Sequence, residues 1–230
     1  MPDTPTSVMI FAAGFGTRMG ELTRSTPKPL IKVNGKGLID HTLDLVDGIS
    51  PEITVVNAHY LADQIVDHLA EKDVKISIEK PDILDTGGGL KAALPFLKQS
   101  PVFTSNSDCI WDGPNPFRLL LESWNPKRMD ALLVCIRVEN CLGRVSPGDF
   151  SIDENGMISR KGEFVYGGVQ IIKTDRVKAH PNRTFSLNEI WDQIAQDKRL
   201  FGLDYPGRWC DVGHPDGIAL AEGLLRGQDV

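Results

Sequence analysis

The sequence predicts an α/β fold: a mixed, mostly parallel sheet with helices on both faces, extended by a small antiparallel part. Three observations carry that expectation. Short apolar runs alternate with helix-spaced segments over the first half of the chain. The first run ends abruptly in glycines, at Ala12-Ala13-Gly14-Phe15-Gly16. The second half turns to strand–turn–strand texture, with Pro147-Gly148 and Glu154-Asn155-Gly156 as turns.

Residues 8–13 are apolar and bounded, which reads as a buried strand. Residues 38–46 have helical spacing, 53–57 read as a strand, and 61–69 as a helix with Leu61, Ile65 and Leu69 four apart. Residues 74–79 alternate like a strand, and 90–97 follow a glycine run as a helix. Residues 102–105 form a short strand and 119–124 part of a helix. Residues 130–137, 143–152, 157–161 and 164–173 read as strands, the last three antiparallel. Residues 187–196 form a helix with Ser186 as N-cap and Glu189 three residues on, and 218–225 close the chain as a helix. No repeat or long linker interrupts this series, so a single unit over 1–230 with two functional halves is expected.

Composition narrows the function classes. The 41% hydrophobic and 24% charged fractions exclude disorder along the whole length. A net charge of −6 argues against a nucleic-acid binder, so an anionic small molecule must meet a local positive pocket. No apolar run nears the roughly 20 residues of a membrane span, and residues 1–7 lack the basic and apolar regions of a signal peptide. Cys109, Cys135, Cys141 and Cys210 form no C-x-x-C pair and read as reduced core thiols of a cytoplasmic protein.

The segment Ala13-Gly14-Phe15-Gly16-Thr17-Arg18-Met19 follows the first strand, where small residues let backbone amides approach a phosphate. A dinucleotide fingerprint needs a third glycine where Met19 stands, and a Walker A loop needs Gly-Lys where Met19-Gly20 stand. The loop is a phosphate cradle of another kind or a plain glycine turn. Thr26-Pro27-Lys28-Pro29-Leu30 favours the cradle: prolines on both sides restrict the backbone and hold the Lys28 ammonium in one place. Arg18 can add a second cation. Three adjacent glycines at Gly87-Gly88-Gly89, before a helix, suggest close approach of a flat base. Asp108 follows a central strand, where ligands bind in open α/β sheets, and Asp211 precedes Gly213. Taken alone, each aspartate fits a turn or a helix cap. His41, His59, His68, His180 and His214 show no zinc spacing, and no Gly-x-Ser-x-Gly elbow is present.

The glycine loop with Pro-Lys-Pro-Leu resembles the sugar-nucleotide pyrophosphorylases, which join a nucleoside triphosphate to a sugar 1-phosphate. The resemblance continues through Val56-Asn57-Ala58-His59, Asp85-Thr86-Gly87-Gly88-Gly89, Asn106-Ser107-Asp108 and Trp209-Cys210-Asp211-Val212-Gly213. Within that family it is nearest to the short bacterial N-acetylmuramate-1-phosphate uridylyltransferases of cell-wall recycling. It implies a Rossmann-like fold of the nucleotide-diphospho-sugar transferase type, with a nucleotide-binding half near 8–125 and a sugar-binding half near 126–230. It implies Mg²⁺ on Asp108 and Asp211, with Lys28 and Arg18 catalytic beside them. It implies nucleotide binding by Ala13, Gly14, Gly16, Thr17, Arg18, Lys28, Gly87 and Gly88, and sugar binding by Asn106, Gly143, Asp149 and Gly168. Cys109 and Cys210 are expected to point away from the metal, and Asn57 and His59 to order a loop. The partners it implies are a nucleoside triphosphate (UTP favoured) and a sugar 1-phosphate, and no nucleic acid or membrane is expected, in a monomer or small homo-oligomer. Three positions depart from the family pattern: Gly20-Glu21 replaces Arg-Pro, Lys36-Gly37 replaces Lys-Pro, and Gly167 replaces a Ser or Thr. Alternatives are mannose 1-phosphate with GTP, phosphocholine with CTP, or an inactive nucleotide-sensing module.

Overall fold

The computed structural model describes residues 4–144 and 147–227. In chain order the first half holds β1 (Ser7–Phe11), β2 (Lys32–Val33), β3 (Lys36–Gly37), α1 (Leu38–Asp47), β4 (Ile53–Ala58), α2 (Ala62–Leu69), β5 (Lys75–Ile78), α3 (Asp85–Leu97), β6 (Val102–Asn106), β7 (Cys109–Asp112) and α4 (Pro116–Ser123). The second half adds β8 (Ala131–Arg137), β9 (Cys141–Leu142), β10 (Gly148–Ile152), β11 (Ile158–Gly162), β12 (Phe164–Ile172), α5 (Asp175–Ala179), α6 (Leu187–Gln196), β13 (Leu200–Asp204), β14 (Arg208–Asp211) and α7 (Asp216–Leu225).

The main sheet runs β11-β10-β12-β6-β1-β4-β5, with β8 and then β13 continuing from β12. β1 lies parallel to β4 and β6, and β4 to β5. β12 runs antiparallel to both β6 and β8 and joins the parallel part to the antiparallel one. The expected mixed sheet is therefore present.

Strand alternation assigns side chains to two layers. Val8, Ile10, Val56 and Phe103 enter a core with residues of α1, α2 and α4, whereas Met9, Val55 and Val102 enter one with α3, α5 and α6. A slip of one residue would exchange the two sets, so each buried side chain, at about 1.5–3 kcal/mol, also enforces register. A third, smaller core joins Ile110, Cys210 and Val212 to Ala221 and Leu224 of α7. It supports the three-stranded sheet β7-β14-β9, which the sequence did not suggest.

Several boundaries differ from expectation. β1 stops at Phe11, because Ala12 turns its amide to a side chain instead of a strand. α3 begins at Asp85 and contains all three glycines of 87–89. α4 begins at Pro116, where the Asn115 side chain accepts from the Phe117 and Arg118 amides. Of the expected strand 143–152 only Gly148–Ile152 forms a strand, β10, while β9 precedes that range, and Val145 and Ser146 lie outside the described residues. The Ser186–Glu189 capping box forms as the spacing predicts.

Candidate active site

The carboxyl ends of β1, β4, β5 and β6 open on one edge of the sheet, and the loops that leave them build a cleft. The loop after β1 is shaped by Gly16, whose φ is +65°. A Cβ there would lie 2.9 Å from Lys28 Cβ and from Thr23 Cγ2, so Gly16 is required by packing against the lysine turn. A Cβ on Gly14 would meet no protein atom within 4 Å, and Gly14 and Ala13 line the cleft. Thr17 starts a short 3-10 turn and borders a groove with Phe15, Glu21 and Tyr60. The ring of Phe15 meets His59 and Tyr60 edge-on or tilted at 5.5 and 5.6 Å. His59 also contacts the Glu79 carbonyl through Nδ1 at 3.0 Å, as its loop-ordering role requires.

Lys28 sits in a single turn, Lys28–Leu30, entered from an extended Pro27. The prolines direct its chain inward: it is 9% exposed, and Nζ donates to Asp108 Oδ2 at 2.6 Å. Asp108 leads into β7 and Asp211 ends β14. These antiparallel neighbours pair Cys109 with Asp211, and the Val212 amide donates to the Asp108 carbonyl at 3.0 Å. Two acids distant in sequence thereby meet. The Asp211 carboxyl is pushed up by burial and by the Asp108 charge, against the pull of Lys28, Arg18 and Arg144. A Cβ built on Gly213 would lie 3.0 Å from Asp211 Oδ2 and 3.2 Å from Arg18 Nη1, so both groups face that glycine.

Among the described residues no three metal-ligating side chains gather. Two carboxylates with their remaining positions left to phosphate and water form a hard oxygen set that fits Mg²⁺, and their mutual repulsion would be relieved by a cation. Cys210 points away, toward the Gly217 carbonyl at 3.7 Å. Cys109 packs in the main core as expected, but it does not point away: its thiol lies 3.5 Å from Asp108 Oδ1, which corrects the expected orientation. Burial, with Asp108 and Asp211 beside it, pushes that thiol well up, so it stays protonated and donates a weak hydrogen bond.

Two cavities share Phe11, Asp85, Thr86 and Asn106 in their walls. The first, about 220 Å³, is lined further by Ala13, Gly14, Asn57, Glu79 and Asp108. The second, about 360 Å³, is lined by Arg144, Asp149, Arg160, Tyr166 and Trp191. Asp149 accepts from Arg144 Nη2 at 2.6 Å and from the Tyr166 amide at 3.0 Å, so each of its oxygens already has a donor. Gly168, at φ +91°, lets the chain pass Asn106, whose Cβ would be 3.0 Å from an added methyl. Gly167 replaces the expected hydroxyl residue because the space is filled: a Cβ would lie 2.4 Å from Ile136 Cδ1 and 2.6 Å from Trp111.

Gly87, Gly88 and Gly143 each pack closely against protein. The Gly87 and Gly88 amides both donate to the Phe185 carbonyl, at 2.9 and 3.1 Å, and Cβ atoms there would strike Phe185 and the Arg183 carbonyl. These glycines allow close approach of protein, and the preceding Asp85 and Thr86 line the cleft. Gly143, at φ +72°, packs on the Asp211 carbonyl, which a Cβ would approach to 2.3 Å. Residues the sequence reading did not assign are Glu79, Arg144, Arg160, Tyr166 and Trp191. Arg144 and Tyr166 adjoin assigned residues, whereas Glu79, Arg160 and Trp191 carry no local signal in the sequence. Among the described residues no helix is long and apolar enough to cross a membrane.

The profile of the MobA-like NTP transferase domain matches residues 8–148. The chain is 38% identical to the N-acetylmuramate alpha-1-phosphate uridylyltransferase of Caulobacter vibrioides, over 98% of this chain and 99% of that protein. It is 29% identical to the mannose-1-phosphate guanylyltransferase catalytic subunit beta of Drosophila melanogaster, over 91% of this chain but only 60% of that protein. Among solved structures, HddC from Yersinia pseudotuberculosis complexed with GMP-PN superposes with a TM-score of 0.77 at 19% identity, covering 96% of this chain and 99% of the other. The inositol-1-phosphate CTP transferase of T. maritima does so at 0.77 and 14%, covering 99% of each. At such identities the superpositions speak for the fold, and the sequence matches speak for the family. The chain therefore belongs to the MobA-like NTP transferase domain family and is an enzyme of the sugar-phosphate nucleotidyltransferase type.

Proposed function

We propose that the chain transfers a uridylyl group from UTP to N-acetylmuramate 1-phosphate in the cytoplasm, releasing pyrophosphate. The meeting of Lys28, Asp108 and Asp211 beside the two adjoining cavities carries the reaction type. The full-length likeness to the Caulobacter enzyme supports the substrate pair. An inactive sensing module would be expected to lack Lys28 or one of the aspartates, and all three are present.

In the reaction an oxygen of the sugar phosphate forms a bond to the α-phosphorus, the bond from that phosphorus to the bridging oxygen of the β-phosphate breaks, and pyrophosphate leaves. The nucleophile is already an anion, so the protein needs no general base and contributes position and charge. Gly14, with open space where a side chain would be, lets the triphosphate approach the loop backbone. Lys28 and Arg18 stabilise charge on the phosphates. Asp108 and Asp211 would hold Mg²⁺, which when bound offsets the repulsion between the two phosphate groups. Asn106, in the wall of both cavities, spans donor and acceptor, and Gly168 gives it room. Asp149 reaches the sugar through Arg144.

Mannose 1-phosphate with GTP is the second reading, supported by the likeness to the Drosophila protein over 91% of this chain. A panel of four nucleoside triphosphates against N-acetylmuramate, N-acetylglucosamine and mannose 1-phosphates, read by pyrophosphate release, separates them. The highest kcat/KM is expected for UTP with N-acetylmuramate 1-phosphate. A preference for GTP with mannose 1-phosphate would replace this assignment.

A further inference from the structure

Glu79 is 2% exposed, has no cationic partner among the described residues, and takes no part in the transfer chemistry above. A buried carboxylate without a counter-charge is costly unless its oxygens are fully engaged. Here they are: Oε2 accepts from the Leu84 amide at 2.7 Å, at the start of α3, and Oε1 accepts from Asn57 Nδ2 at 2.7 Å. Asn57, itself 3% exposed, has its other amide atom on the end of β1, where Oδ1 accepts from the Ala12 amide at 2.7 Å. Gly89 is shaped to this contact, since a Cβ would fall 2.7 Å from Glu79 Oε1 and 2.8 Å from Asn57 Nδ2.

We propose that Glu79 is a positioning residue for the phosphate loop, acting through Asn57. A carboxylate only accepts hydrogen bonds, so it draws the NH₂ of Asn57 and leaves the carbonyl oxygen for the Ala12 amide. That bond fixes the backbone one residue before Ala13 and Gly14, which line the cleft. A flipped Asn57 would set NH₂ against N–H and release the loop. The ends of β1, β4 and β5 and the start of α3 are thus held in one relay. The role rests on the reading of the loop as the triphosphate site.

The test is an exchange of polarity. Glu79→Gln leaves too few acceptors for Leu84 and Asn57, and Asn57→Asp opposes two buried carboxylates. Together they restore the relay: the introduced glutamine amide donates to the introduced aspartate carboxylate, which accepts from Ala12 as before. Each single variant is expected to lower kcat/KM for UTP on the order of 10²-fold, mainly through KM for UTP rather than for the sugar phosphate. The double variant is expected to recover most of that loss. Asn57→Ala, which removes the acceptor without adding charge, covers the case in which a single variant does not fold. Hydrogen exchange at the Ala12 amide, measured without any substrate, should accelerate in each folded single variant and slow again in the double. A double variant no better than the worse single, or unchanged Ala12 protection in Asn57→Ala, overturns the proposal. Altered Ala12 exchange with no change in UTP affinity would instead refute the triphosphate reading of the loop.

Discussion

Lys28 Nζ donates to Asp108 Oδ2 at 2.6 Å across eighty residues of sequence. A mostly buried ion pair of this kind is weak evidence for stability, because desolvation of both groups offsets their attraction. Its value is that it aims a cation at the cleft. Lys28→Ala is expected to lower the transfer rate by ~10²–10³-fold, as for loss of one preorganised electrostatic group. Pyrophosphate release checks this, and a variant with undiminished turnover would remove Lys28 from the mechanism.

Asp108 and Asp211 are expected to act as a pair. Asp108→Asn and Asp211→Asn should each abolish Mg²⁺-dependent transfer while circular dichroism shows a native spectrum. Chelation should silence the wild type, and added Mg²⁺ should restore it. Activity retained in either variant would break the two-carboxylate assignment.

Gly14 and Gly16 stand two residues apart in one loop, yet alanine should affect them differently. At Gly16 it meets a left-handed φ of +65° and contacts of 2.9 Å, so stability should fall by at least about 1–2 kcal/mol. At Gly14 an added Cβ meets no protein atom, so the melting temperature should stay within a degree or so while KM for UTP rises. Calorimetry and kinetics on both variants test this contrast.

Asp149 engages both oxygens, one with Arg144 and one with the Tyr166 amide. Asp149→Asn should weaken the hold on Arg144 and raise KM for the sugar phosphate several-fold, with KM for UTP little changed. Equal effects on both substrates would assign Asp149 to the fold instead of the acceptor site.

Stability at low pH should depend on Asp130. Burial acts to raise its carboxyl, but hydrogen bonds from Lys173 and Arg199 outweigh that and hold it below the ordinary 3.8. A depressed carboxyl contributes stability that is present above 3.8 and lost as pH falls through the lowered value. Asp130→Asn should therefore cost about 1–3 kcal/mol at pH 7, and the difference from wild type should shrink below about pH 4. Urea unfolding across that range measures it.

The features legible in the letters alone were local. The apolar run before Gly14 marked β1, the flanking prolines of Lys28 marked a rigid turn, and Ser186 with Glu189 marked a helix start, because each signal lies within a few neighbouring residues. Features that depend on distant partners either came from the family resemblance, as the pairing of Asp108 with Asp211 did, or needed the folded chain, which alone gives their geometry. A packing glycine and a ligand-facing glycine are the same letter, and only the Phe185 carbonyl shows that Gly87 and Gly88 are the first kind. Glu79 looks like the exposed end of an alternating strand until Asn57 and Leu84 close over it. The approach of Asp211 to Asp108 follows from the β7–β14 pairing, whose strands lie far apart along the chain and whose shared core forms only once α7 covers it.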